Sequence, residues 1–149
     1  MKIDIVQLEI VKKYSADFDI ENAHVYGVAS AGRIFQKEIG SCNIEYAGLL
    51  CLDFTNKIIN YSNVAIGNIE NVNIPVAQII KTALVSNASK IIVAHNHPSG
   101  VLEITANDIS TTKSIGNLAR MLGIQLIDSL IVTNSDDILS IREHINDFD

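Results

Sequence analysis

The chain has only two cysteines, Cys42 and Cys51, in 149 residues. They form no C-x-x-C pair, and their spacing fits neither a common zinc motif nor a redox motif. Cys51 reads as a free, half-buried thiol and Cys42 as a loop thiol. Long apolar runs are also missing: Ile79–Ile80 and Ala83–Val85 are interrupted by polar residues within a few positions, far short of the roughly 20 apolar residues of a membrane span. A secretory leader is not expected either, because Asp4, Gln7 and Glu9 interrupt what would have to be a continuous apolar segment after Lys2. The reading is a cytoplasmic protein with no membrane partner. The eleven basic residues are scattered, with only Lys12 and Lys13 adjacent, and the formal net charge is -6. A surface that binds phosphate backbones needs clustered Lys and Arg, so direct nucleic-acid binding is not expected from charge and would have to come through a partner. There is no internal repeat and no low-complexity segment.

What is present suits one compact unit, since 48% hydrophobic residues over 149 positions can fill a core between two or three layers. Ile3–Val11 interleaves Ile, Val and Leu with Asp4, Gln7 and Glu9 and reads as an opening strand. Apolar residues then recur near helical spacing from Ile20 to Ile39, although Gly27 and Gly32 each weaken a helix by about 1 kcal/mol relative to Ala. His24 lies near that apolar face, where a lone histidine is most simply a packed core residue. Ser41–Asn43 breaks the pattern. Ile44–Phe54 reads as a buried strand, turned by Thr55–Lys57 into Ile58–Ile66, which makes a hairpin. Pro75 suits the first turn of a helix that ends near Asn87. Lys90–Ala94 is a short apolar strand stopped by Pro98 and Gly100, and a helix from about Thr105 to Leu122 is closed by Gly123. Ile124–Thr133 and Ile138–Ile141 complete the strands, and the last residues, 144–149, form a tail. Alternating strands and helices in one domain indicate an α/β, mixed α+β, layered fold. In this reading residues 1–43 form an amino-terminal strand and helix within the same unit, and residues 44–143 form the core.

The chemistry concentrates where Lys90–Ala94 runs into His95–Gly100, HNHPSG. Residues at i and i+2 of a strand point to the same face, about 7 Å apart at the backbone, so the imidazoles of His95 and His97 can reach one ion. A strand end leaves protein on one side and room for water or substrate on the other, which a catalytic metal needs. After ten intervening residues comes Asp108, near the start of the next helix. Two imidazoles and a carboxylate would hold one zinc ion (Zn2+) with its fourth place open to water. A second reading covers part of the same residues. Thr105 followed three positions later by Asp108 is a capping box, and Ile104 with Ile109 has the spacing of a hydrophobic staple, so helix initiation alone accounts for all four.

HNHPSG, with Thr105 and Asp108 at their places, resembles the metal-binding motif of JAMM/JAB metalloproteases, in which H-x-H-P precedes a Ser or Thr and then an Asp. LLCLDFTNKII at 49–59 and LGIQLIDSLIV at 122–132 make the chain more specifically similar to the RadC-like JAB proteins of bacteria, from about Ile44 to Glu143. The resemblance implies a JAB/MPN-type fold with a central mixed β-sheet flanked by helices. It further implies a zinc-dependent hydrolase acting on a peptide or protein substrate, with His95, His97 and Asp108 as ligands. Glu45 matches the family's glutamate that works through the catalytic water. From the residues alone it reads equally as a polar strand-starting side chain. Thr105 matches the serine that assists the oxyanion or the water. Two other roles stand beside this one: an accessory protein in DNA repair that acts by partner binding, and a non-catalytic MPN interaction module. A homodimer is compatible with the sequence. The chain departs from the family at Ser129, where a His usually follows the Asp at the position of Asp128, and at Val101–Ile104, where acidic and proline residues are usual. It also shows no counterpart of the family's amino-terminal helix-hairpin-helix region.

Overall fold

The computed structural model of the chain describes residues 1–67, 75–146 and 148. Its centre is a five-stranded mixed sheet formed by β1 (Tyr46–Leu52), β2 (Ile58–Ile66), β3 (Lys90–Asn96), β4 (Gln125–Val132) and β5 (Ile138–Ser140), in the order β2-β1-β3-β4-β5. β1 runs antiparallel to both β2 and β3, while β3 and β4 are parallel. A parallel pair needs a crossover, and here α3 (Ala106–Met121) supplies it. α1 (Val28–Phe35) and α2 (Val76–Val85) are the other two α-helices among the described residues. The fold is therefore the mixed layered type that the alternation of elements indicated.

Period-2 alternation of apolar residues divides β1 and β3 between two cores. Leu49, Cys51, Ile91 and Val93 join Ile79 and Ala83 of α2 and Ile115 and Ala119 of α3. Leu50, Leu52, Ile92 and Ala94 join Ala31, Ile34 and Phe35 of α1. Strands buried on both faces read as continuous apolar runs, which is why YAGLLCL and KIIVA carry so few polar residues. Cys51 is fully buried rather than half-buried, and burial pushes its thiol pKa up to about 11. The turn between β1 and β2 is held by Asp53, whose Oδ1 accepts from the backbone N–H groups of Thr55 and Lys57 at 2.8 and 3.0 Å.

Three sequence expectations need correction. Ile3–Val11 belongs to no strand, and its large apolar side chains are exposed. The pattern made the segment competent to be a strand, but the chain offers it no neighbour, and a strand without a ladder partner is not a strand. The long helix expected from Ile20 to Ile39 is a short 3-10 turn at Glu21–Ala23, then α1, then a π-turn at Gln36–Gly40. Gly27 explains the break, since its φ of 121° lies outside the helical region and is open to glycine alone. Gly32 stays inside α1 because a Cβ there would stand 2.1 Å from Ile138 Cδ1. His24 is not a core residue. It sits half-buried beside the hairpin turn, with Nδ1 2.7 Å from the carbonyl of Asn22 and its ring stacked on Tyr26. The expected tail at 144–149 overlaps a 3-10 turn at Arg142–His144 and lies partly outside the described residues. Among the described residues no helix is long and apolar enough to cross a membrane.

Asp128 ties β4 to the carboxyl-terminal segment. Its Oδ1 accepts from the N–H groups of Ser129 and Arg142 at 2.7 and 3.2 Å, and its Oδ2 accepts from the Ser140 hydroxyl at 2.6 Å. Burial nevertheless holds its carboxyl above the ordinary range, outweighing those hydrogen bonds and the Arg142 charge. A raised folded-state pKa favours the protonated form. Its stabilising contribution is therefore complete below the unfolded pKa of about 3.9 and is lost as pH rises through the folded value. Relative to Asp128→Asn, which does not titrate, the native chain should lose stability as pH is raised from about 3 towards neutrality. Urea unfolding of both proteins across that range checks this, and a stability difference that is flat or of opposite slope contradicts it.

Candidate metal centre

The alternation that builds the two cores also builds the site. On the α2/α3 side of β3, Ile91 and Val93 are followed by His95 and, just past the strand, His97. On the other side Ile92 and Ala94 are followed by Asn96. His97 N–H still donates to Val132 O at 2.9 Å, so the second histidine remains tied to β4. The chain then turns sharply, with Gly100 N–H donating to His97 O at 3.0 Å. Pro98 and Gly100 occupy the second and fourth positions of that turn, where their residue types are favoured. The turn brings the carbonyl of Val101 to 2.8 Å from His97 Nδ1. A carbonyl only accepts, so Nδ1 carries the proton and Nε2 presents a lone pair, the usual arrangement for a histidine ligand. Only the backbone of Val101 is used, so this contact does not depend on which side chain stands at position 101.

His95 is buried, His97 is half-buried, and the Asp108 side chain is 10% exposed. His95 Nε2 lies 3.0 Å from His97 Nε2 and 3.2 Å from Asp108 Oδ1. One donor atom from each of the three residues lies within 4.8 Å of the others. A tetrahedral ion with bonds of about 2.0–2.2 Å separates its ligand atoms by about 3.3–3.6 Å, so the two short separations lie within a few tenths of an ångström of those around a shared cation. The electrostatics agree. The His97 lone pair and the carboxylate oxygen both face His95 Nε2, and a single N–H there cannot point at both. A cation satisfies all three donors, and this group can hold a metal ion.

Both readings of Asp108 hold at once, because its two oxygens are used separately. Oδ2 accepts from Thr105 N–H at 2.8 Å, and Thr105 Oγ1 accepts from Asp108 N–H at 3.1 Å, which completes the capping box of α3. Oδ1 faces His95. Burial alone would raise the Asp108 pKa, but hydrogen bonds from His95 and Thr105 and the charge of His95 bring it down to about 2. The carboxylate is therefore ionised at neutral pH.

Glu45 stands half-buried one residue before β1, and its carbonyl accepts from Gly67 N–H at 2.7 Å. Ala47 pairs with His95, and continuing that antiparallel register by two residues sets Glu45 opposite His97. Thr105 is exposed at the N-cap of α3, next in chain to the ligand-bearing turn of the helix. Ser129 pairs with Val93 in the sheet and is not one of the three donors. The cavity of about 440 Å³ between α1 and the sheet is lined by residues such as Val28, Leu52, Ile92 and Leu130, and none of the three donors lines it.

Sequence reasoning missed Asn96. Fully buried, its Oδ1 accepts from Tyr46 N–H at 2.6 Å, and its Nδ2 donates to the carbonyls of Ile44 and Cys42 at 3.0 and 3.3 Å. It therefore clamps the segment that carries Glu45 against the end of β3. The signal was legible: a polar residue continuing the Ile92–Ala94 face must find partners in the core. Asn96→Ala should cost about 2–4 kcal/mol by stranding those backbone groups, as denaturant unfolding would show. The two uses of Asp108 can be separated as well. Thr105→Ala should lose about 1 kcal/mol of cap and keep bound metal, whereas Asp108→Ala should lose both. Thermal unfolding and elemental analysis of the two variants check this, and equal metal content in both contradicts it.

Residues 25–146 match the family model described as the RadC-like JAB domain. A relative called UPF0758 protein from Finegoldia magna is 35% identical over 136 residues, covering 91% of this chain and 60% of that protein. One from Acidithiobacillus ferrooxidans is 34% identical over 99 residues, 66% of this chain and 44% of its own length. One from Chloroflexus aurantiacus is 29% identical over 136 residues, 91% and 59%. The chain thus spans about half the length of the curated relatives it matches. With the matching fold and the His-His-Asp group at the end of β3, the chain belongs to the RadC-like JAB domain family.

Proposed function

We propose that the chain is a zinc-dependent hydrolase of the JAMM type that cleaves a peptide or isopeptide amide bond. The observation that carries this reading is the convergence of His95 Nε2, His97 Nε2 and Asp108 Oδ1 at a strand end. Zinc held there would polarise the scissile carbonyl and lower the pKa of a bound water toward about 7. Glu45, opposite His97 by register, would accept the proton of the attacking water and pass it to the leaving amine. The Thr105 hydroxyl accepts from Asp108 N–H, which leaves its own O–H to donate toward the developing oxyanion. His97 keeps its Nε2 aimed inward through the Val101 carbonyl, and Asp108 is held from turning away by the capping bond to Thr105. Two neutral imidazoles and one carboxylate leave a divalent ion with net positive charge, which suits a neutral carbonyl oxygen.

The test combines metal content with turnover. After metal-supplemented purification the protein should hold close to one zinc, and less than about half an equivalent, or unchanged zinc in His97→Ala, would sink the proposal. Glu45→Gln should retain zinc and slow hydrolysis of peptide and isopeptide substrates by about 10²–10⁴-fold. Full zinc loading without cleavage of any such substrate would instead favour the non-catalytic interaction module.

A further inference from the structure

Ile3, Ile5, Val6, Leu8, Ile10 and Val11 are 54–94% exposed, an unusual outlay of large apolar surface for nine consecutive residues. Exposed side chains of this kind in one contiguous run mark an interaction surface. The segment leaves the body at an anchored root: the Tyr14 hydroxyl donates to Glu38 Oε2 at 2.7 Å, the Lys37 ammonium donates to Asp17 O, and Lys37 sits 4.6 Å from the centroid of the Phe18 ring. Phe18 and Ile20 then pack against the α1-side core. Beyond that root, Ile3–Val11 pairs with no strand.

The sheet has a matching deficiency. β5 closes one edge with three residues, but β2 presents the other with nine, Ile58–Ile66, and no strand pairs with its outer side among the described residues. Protected edge strands are short, charged, or carry proline. β2, IINYSNVAI, has no charged residue and no proline, and its Ile59 and Ile66 are themselves exposed. A nine-residue strand spans about 30 Å, so the arm and the edge have equal reach.

We propose that Ile3–Val11 adds as a sixth strand to the β2 edge of a second copy of this chain, and that the two copies exchange arms reciprocally about a twofold axis. Main-chain hydrogen bonds supply the attraction, as in other strand additions, and alternate side chains of the arm fall on the two faces of the extended sheet. The occupant is a second copy because, among the described residues, each molecule carries one unpaired arm and one unprotected edge. A twofold pair completes both at once and closes, leaving neither an unpaired arm nor an open β2 for a third molecule. Alternation puts Val6, Leu8 and Ile10 with Asp4 on one face of the arm and Gln7 and Glu9 with Ile3, Ile5 and Val11 on the other, so from Val6 to Ile10 the paired arm has an apolar side for the helix layer and a polar side for solvent.

The full 149-residue chain is measured by light scattering and by hydrogen exchange at about 100 µM, roughly a hundredfold above a micromolar Kd. The expected mass is twice 16.3 kDa, with slow exchange at residues 3–11 and along β2. Leu8→Pro removes a ladder donor in an exposed segment, so it should raise the dimer Kd at least about tenfold. Exchange at β1, β3 and β4 should remain as in the native chain. Ile66→Lys, which places a charge on the edge itself, should weaken the dimer in the same way. A monomer at that concentration overturns the proposal, including a monomer whose arm is protected, since that arm would be lying on its own β2. A dimer that persists in Leu8→Pro with its arm exchanging freely overturns it too, because the copies would then meet elsewhere.

Discussion

A central strand buried on both faces has no solvent to satisfy a polar side chain, and β3 ends in His95 and Asn96, with His97 directly after it. The sheet resolves this by alternation. His95 and His97 take the face toward α3, where the helix start brings a carboxylate, and Asn96 takes the face toward α1, where it meets backbone groups of Cys42, Ile44 and Tyr46. The same residue that fills the inner face thus fixes the segment bearing Glu45. Shifting the register by one residue would put the histidines into the α1 core and the amide beside Asp108, so register and site are specified together.

Asp108 shows why structural and chemical readings of a residue need not compete. Helix initiation asks for an acceptor on the Thr105 N–H, and one carboxylate oxygen supplies it. That bond also fixes the rotation of the carboxylate, and the remaining oxygen falls 3.2 Å from His95 Nε2. The carboxylate at the helix N-terminus is favoured by the helix dipole as well. The hydrogen bond that helps to start α3 thus also aims the other carboxylate oxygen at His95.

Much of this was legible because the signals are local. The β1–β2 hairpin, the strand KIIVA, the capped α3 and its closing Gly123, with φ of 74°, each follow from a few neighbouring residues. The histidine pair followed from period-2 geometry alone. What failed depended on partners distant in sequence. Ile3–Val11 had a strand's pattern, but pattern does not supply a neighbouring strand. His24 had a helical face's spacing, but Gly27 ended that helix before it began. Asn96 sits between two histidines that fit a metal motif, and its own role depends on backbone partners some fifty residues away in the chain. Glu45 could not be chosen over other acidic residues from composition or spacing, and it acquires geometric support only when the β1–β3 register sets it across from His97.

The hairpin links the two ends of the molecule's chemistry. Gly67, directly after β2, donates to the carbonyl of Glu45 at 2.7 Å, so the last ladder bond of the β1–β2 pair is made by the residue opposite His97. On the other side Asn96 holds Tyr46 and Ile44. Glu45 is therefore fixed between an inner clamp, which belongs to the core, and an outer one, which belongs to an edge strand. Edge strands open more readily than central ones, since one side of their ladder is unmade. A strand added along β2 would raise the cost of that opening and steady the outer clamp, while the donors on β3, buried in the middle of the sheet, would hardly feel it. Order at the edge would then bear on the position of Glu45 and leave His95, His97 and Asp108 as they are.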